Sequence, residues 1–145
     1  MLESRPGRLD VVATGVVASD ATNPLEQRLR QIYDGVTSLL AEHAPSTVVI
    51  EDLYAEYRFP RTALQMAHAR GVICLAAQQR GVPILAVAPA AVKRAITANG
   101  AASKSQVQEN VRRHLRLPAL PRPSHVADAL GLALTGFWRL GGRLP

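Results

Sequence analysis

The sequence predicts an α/β fold: a mostly parallel sheet with helices packed on it. Two patterns point there. Apolar residues recur at three- and four-residue spacing over several long stretches, and short β-branched runs bounded by glycine, proline or acids lie between them. A third observation sets the scale: 145 residues and 15.6 kDa suit a single domain over 1–145. A hydrophobic content of 48% with 19% charged residues is globular composition, neither a disordered tail nor a coiled coil.

Residues 9–17 are β-branched and bounded by Gly7 and Ser19-Asp20, which predicts a first strand. Pro24 opens a helix over 24–43, in which Leu25, Leu29, Ile32, Val36, Leu39 and Leu40 share a face, and Pro45 closes it. Thr47-Val48-Val49-Ile50 reads as a buried parallel strand that stops at Glu51-Asp52. Residues 53–61 mix aromatics with charge and read as a surface loop. A second helix spans 62–80, with Leu64, Ala67, Val72, Leu75 and Ala76 as its apolar side. Gly81-Val82-Pro83 then turns into the strand 84–87. Pro89 opens a short helix that Asn99-Gly100 breaks. Ser103 caps a helix running to about Leu117, a proline-rich connector follows, and Ser124 caps a final helix over 125–139.

Charge is unevenly placed. The chain has 17 Lys+Arg and 11 Asp+Glu, a net of +6. Residues 1–52 carry a net −4, whereas 53–145 carry +10 with only Glu56, Glu109 and Asp128 acidic. That asymmetry fits a polyanionic partner such as nucleic acid. An arginine-rich composition, 15 of the 17 basic residues, is the plainer alternative. No apolar run is long enough to span a membrane, and the first eight residues lack the apolar core of a signal peptide. The single cysteine, Cys74, excludes an internal disulfide and multi-cysteine zinc sites, which favours a reducing, cytoplasmic setting.

Two places could carry chemistry. Glu51 and Asp52 stand at the carboxyl end of a strand, where ligand sites of open α/β sheets lie; solvating the strand end is the alternative. His125 and Asp128 lie three apart at the start of an otherwise apolar helix, so they share a face. Such a pair suits part of a Mg²⁺ or Mn²⁺ site, while a favourable charge at a helix N-terminus is the alternative. His43 and His114 read as helix-end and exposed residues, His68 as packed or interfacial, and Cys74 as core. There is no phosphate-binding glycine loop, zinc-protease helix or nucleophile elbow.

Several blocks together resemble the RuvC family of Holliday junction resolvases. They are Val49-Ile50-Glu51-Asp52, Ala63-Leu64-Gln65-Met66-Ala67-His68-Ala69-Arg70-Gly71-Val72, Val92-Lys93-Arg94-Ala95, Ser103-Lys104-Ser105-Gln106-Val107 and His125-Val126-Ala127-Asp128-Ala129-Leu130. The resemblance covers about Leu9 to Trp138. It implies an RNase H-like mixed sheet flanked by helices, and a Mg²⁺-dependent endonuclease (Mn²⁺ as the alternative) with two ions per active site. It implies a homodimer that nicks two opposing strands of four-way junction DNA, with the branch-migration proteins RuvA and RuvB as partners. Glu51, His125 and Asp128 match the family's catalytic and metal-binding positions, with His125 as ligand or proton handler. Lys104 and Lys93 match basic positions near the scissile phosphate. Tyr54 matches an aromatic that stacks on a base, and it shares with Tyr57, Arg58, Phe59 and Arg61 a loop suited to unstacked bases.

The resemblance departs at the N-terminus. The family's opening strand, with an aspartate in a Gly-Ile-Asp-Pro-Gly-like motif, has no counterpart, and 9–17 looks like the family's third strand. This reading expects N-terminal strands missing from the chain and weak or absent cleavage by 1–145, unless Asp10 or Asp52 supplies the carboxylate. A junction-binding homologue without catalysis and an unrelated nucleic-acid-binding α/β domain are the alternatives. The small and apolar residues of 62–80 are expected to form the dimer interface, or else to pack on their own sheet.

Overall fold

The computed structural model describes residues 1–53 and 60–143. Its elements run β1 (Leu2–Arg5), β2 (Arg8–Val11), α1 (Leu25–His43), β3 (Val48–Glu51), α2 (Pro60–Gln79), β4 (Ile84–Val87), α3 (Pro89–Thr97), α4 (Lys104–His114) and α5 (Ser124–Arg139). From α1 onward the order of strands and helices is the predicted one. The strands form two separate pairs, β1 with β2 and β3 with β4, where the sequence suggested one mostly parallel sheet.

The first strand is the largest correction. In place of a run over 9–17, β1 and β2 form an antiparallel hairpin in the register Leu2↔Val11 and Arg5↔Arg8. Its turn is Pro6-Gly7, with Gly7 at φ 72, a conformation glycine adopts without steric cost. Pairing runs past β1: the Val12 amide reaches the Met1 carbonyl at 3.1 Å and the Met1 amine donates to the Ala13 carbonyl, whereas 14–17 are not strand. A β-branched run shows propensity, but only a partner's backbone makes it a strand.

The chain folds as two compact units: Met1–Val16 with Val87–Pro145, and Val17–Ala86. In the second unit α1 packs on α2. Leu40, Ala76 and Ala77 are buried there, with Tyr33, Val36, Val48 and Val82 against them. The Tyr33 hydroxyl donates to Gln79 Oε1. β3 is half-buried along its whole length rather than fully buried. The predicted apolar side of the second helix is also mostly open. Leu64 is 60% and Leu75 51% exposed, and Ala76 with Ala77 makes the contact. Cys74 is half-buried and His68 exposed.

In the first unit α3, α4 and α5 pack on one another, and α5 also touches β1. Their buried faces carry Val92 and Ile96, Val107 and Val111, and Leu130 and Leu134. Gly131 sits where the helices are nearest: a Cβ there would lie 3.4 Å from Val111 Cγ2 and 3.5 Å from Val92 Cγ1. The buried Thr135 hydroxyl donates to the Gly131 carbonyl at 2.8 Å, which satisfies it within the helix. Pro123 stands at the cap position of α5 and makes no side-chain cap bond, so Ser124 is the first helical residue rather than the cap. α4 stops at His114, three residues short of the predicted end.

Candidate active site

Ser103 positions the first chemical group. Its Oγ accepts the Gln106 amide at 3.3 Å, and Gln106 Oε1 accepts the Ser103 amide at 2.8 Å. This reciprocal capping box satisfies two otherwise unpaired donors and fixes the first turn of α4. Lys104 is the first residue of that turn. Asp128 lies in the second turn of α5, whose Val126, Ala127 and Leu130 are buried. Because those neighbours fix the helix, the half-buried Asp128 carboxylate is held at the margin of the packed face. Lys104 Nζ lies 2.9 Å from Asp128 Oδ2. The structure therefore brings two of the predicted site residues, from different helices, into direct contact. His125, one turn before Asp128, is exposed, and helical spacing puts it on the same side. Lys93 is half-buried in α3.

The second group belongs to the other unit. Glu51 ends β3 and is half-buried, and Asp52 follows it in the exposed connection. Arg70 of α2 braces this strand end. Its Nε donates to the Glu51 carbonyl at 3.3 Å, and its Nη2 lies 3.4 Å from Asp52 Oδ1. Sequence reasoning missed Arg70 as a structural partner of the strand end, because no local pattern connects a helix arginine to a distant strand terminus. Arg61 is exposed in the first turn of α2; Tyr54 and Arg58 lie outside the described residues. Asp10 is engaged by Arg8 at 3.0 Å and Arg5 at 3.6 Å, so it serves as the hub of the hairpin's charge cluster.

Two further groups differ from the sequence reading. His114 is half-buried rather than exposed: its Nε2 donates to the Ile96 carbonyl at 3.1 Å, and its ring meets Trp138 edge-on at 5.2 Å. Glu109 binds Arg112 at 2.8 Å and Arg113 at 2.9 Å. Hydrogen bonds from Arg112 and then Arg113 hold its carboxyl at about 2, well below the usual carboxylate range.

Carboxylate and imidazole are donors that Mg²⁺ and Mn²⁺ accept. Among the described residues, however, no three His, Cys, Asp or Glu side chains are grouped to hold a metal ion. Asp128 presents its oxygen to the Lys104 ammonium instead. As they stand, the described residues do not make a complete metal site.

Comparison with known proteins decides the family. The family described as crossover junction endodeoxyribonuclease RuvC matches residues 1–136. The chain belongs to the RuvC family. The RuvC of Rhodopirellula baltica is 44% identical over 136 residues, 93% of this chain and 76% of that protein. The RuvC of Leifsonia xyli is 42% identical over 137 residues, 94% of this chain and 65% of that protein. This chain thus spans between about two thirds and three quarters of these curated relatives. A Thermus thermophilus RuvC solved in complex with Holliday junction substrate superposes with a TM-score of 0.87 at 34% identity, over 97% of this chain and 86% of that one. A second T. thermophilus RuvC structure gives 0.84 at 33% identity, over the full chain and 89% of that one. The RuvC matches bear out the predicted RNase H-like fold class.

Proposed function

We propose that this chain is a crossover junction endodeoxyribonuclease that nicks four-way DNA junctions in recombination and repair. The observation that carries the reading is the match over 97% of the chain to a RuvC solved with its Holliday junction substrate. In this reading 1–145 is one nuclease domain. Asp128 and Glu51 are its metal-binding carboxylates and His125 a ligand or proton handler. Mg²⁺, or Mn²⁺ in its place, is the cofactor, two ions to a site.

Lys104 and Lys93 offset phosphate charge. Tyr54, Arg58 and Arg61 meet DNA at the junction centre, and the net +10 of residues 53–145 supplies salt-sensitive backbone affinity. The exposed Leu64, Met66 and Leu75 of α2 support a homodimer through that helix. RuvA and RuvB are the partners the family implies. A cytoplasmic location accords with the absence, among the described residues, of any helix long and apolar enough to cross a membrane.

A second reading is a junction binder impaired in cleavage. It is favoured by the lack of a three-donor metal group among the described residues. One assay separates the two: nicking of a synthetic four-way junction and of a matched duplex, in Mg²⁺ and in Mn²⁺. The enzyme reading expects paired nicks in the junction only, with Asp128→Asn and Glu51→Gln reducing the rate by about a hundredfold or more through loss of metal binding. Junction binding with no cutting in either ion supports the binder. Equal treatment of junction and duplex overturns both.

A further inference from the structure

We propose that Lys104 is the resident counter-ion of Asp128, and that a divalent cation must displace it to bind that carboxylate. The inference rests on the reading of Asp128 as a metal ligand and goes beyond it. It starts from the mismatch just described. A carboxylate meant for a hard cation is met by an ammonium at 2.9 Å. Mg²⁺ and Mn²⁺ bind carboxylate oxygens at about 2.0–2.2 Å and cannot share the same oxygen face with a lysine head group at contact distance. The two cations therefore compete for Oδ2 of Asp128.

The pairing is set by the fold. Ser103 and Gln106 lock the turn that carries Lys104, and the buried neighbours of Asp128 lock α5. Water can take the place of either partner: the Lys104 side chain is 61% exposed and that of Asp128 43%. An exposed ion pair of this kind is weak, worth about a factor of two to five, so it can hold the carboxylate and still yield.

A consequence follows for DNA. A backbone phosphate offers Lys104 a competing anion. Each phosphate contact that draws the ammonium away leaves Asp128 without its counter-ion and raises its affinity for a divalent cation. By linkage, the bound cation strengthens phosphate binding to Lys104 by the same factor. Lys104 then acts as a positioning residue that couples arrival of the backbone to loading of Asp128, in addition to offsetting phosphate charge.

The test needs no cleavage. Binding of Mn²⁺ alone to the full chain is followed by the electron paramagnetic resonance of free Mn²⁺, for wild type, Lys104→Gln, Asp128→Asn and the double variant. Circular dichroism checks the fold; Lys104 is exposed and its capping box is left intact. Lys104→Gln is expected to tighten Mn²⁺ by about two- to fivefold, Asp128→Asn to weaken it, and the Lys104→Gln gain to vanish in the Asp128→Asn background. Arg94→Gln removes the same charge at an exposed position of α3 and is expected to change nothing; an equal gain there would make the effect a general charge effect and overturn the contact. Asp128→Asn weaker with Lys104→Gln unchanged or weaker overturns the counter-ion role and leaves Asp128 as a ligand. Asp128→Asn unchanged overturns both.

Discussion

Gly131→Ala is expected to stabilise the protein although Gly131 is buried between three helices. Glycine in a helix interior costs about 0.5–1 kcal/mol relative to alanine, through the freedom it retains in the unfolded chain. The space decides whether that gain survives. The added Cβ would stand 3.4 Å from Val111 Cγ2 and 3.5 Å from Val92 Cγ1, ordinary van der Waals contact. The new methyl therefore gains dispersion contacts without forcing α5 away from α3 and α4. The net expectation is about 0.5–1.5 kcal/mol of added stability. For a chain of this size that is a rise in Tm of about 2–5 °C.

Gly131→Val should reverse the sign, because its extra methyls have no room beyond that contact and overpacking costs about 1–3 kcal/mol. Urea unfolding followed by circular dichroism reads both variants. A destabilised Gly131→Ala would refute the reasoning, since it would mean the helices are closer than these distances or cannot hold them. One helical turn separates Gly131 from Asp128, so the Lys104–Asp128 pair should persist in Gly131→Ala.

Two further outcomes follow from single contacts. Ser103→Ala removes the capping box and should cost about 1 kcal/mol, with faster amide exchange confined to the first turn of α4; unchanged exchange there would show that the cap does not hold Lys104. Glu109→Gln tests the cluster with Arg112 and Arg113. The folded carboxyl is depressed to about 2 from an ordinary 4.5, so its contribution is present above 4.5 and is lost as pH falls from there toward 2. Acid titration of stability should show wild type and Glu109→Gln differing at neutral pH and converging near pH 2, and parallel curves would count against the assignment.

Local chemistry fixed what can be read along one chain segment. The 3.6-residue periodicity of Val92/Ile96, Val107/Val111 and Leu130/Leu134 marks the buried faces of three helices before any of them is placed. Ser103 announces a helix cap, and Glu51-Asp52 after a β-branched run announces a strand end. Asp128 stands out because acids are scarce beyond residue 52. Tertiary structure decided what depends on a partner distant in sequence. Propensity alone could not show that 8–11 pairs with 2–5 while 14–17 are not strand, because a strand is defined by the backbone that meets it. His114 reads as exposed beside its arginine neighbours, yet the Ile96 carbonyl and the Trp138 ring come from other turns of the fold and bury it. The pairing of Lys104 with Asp128 is of the same kind: each residue is legible by itself, but the 2.9 Å between them exists only because α4 and α5 pack side by side.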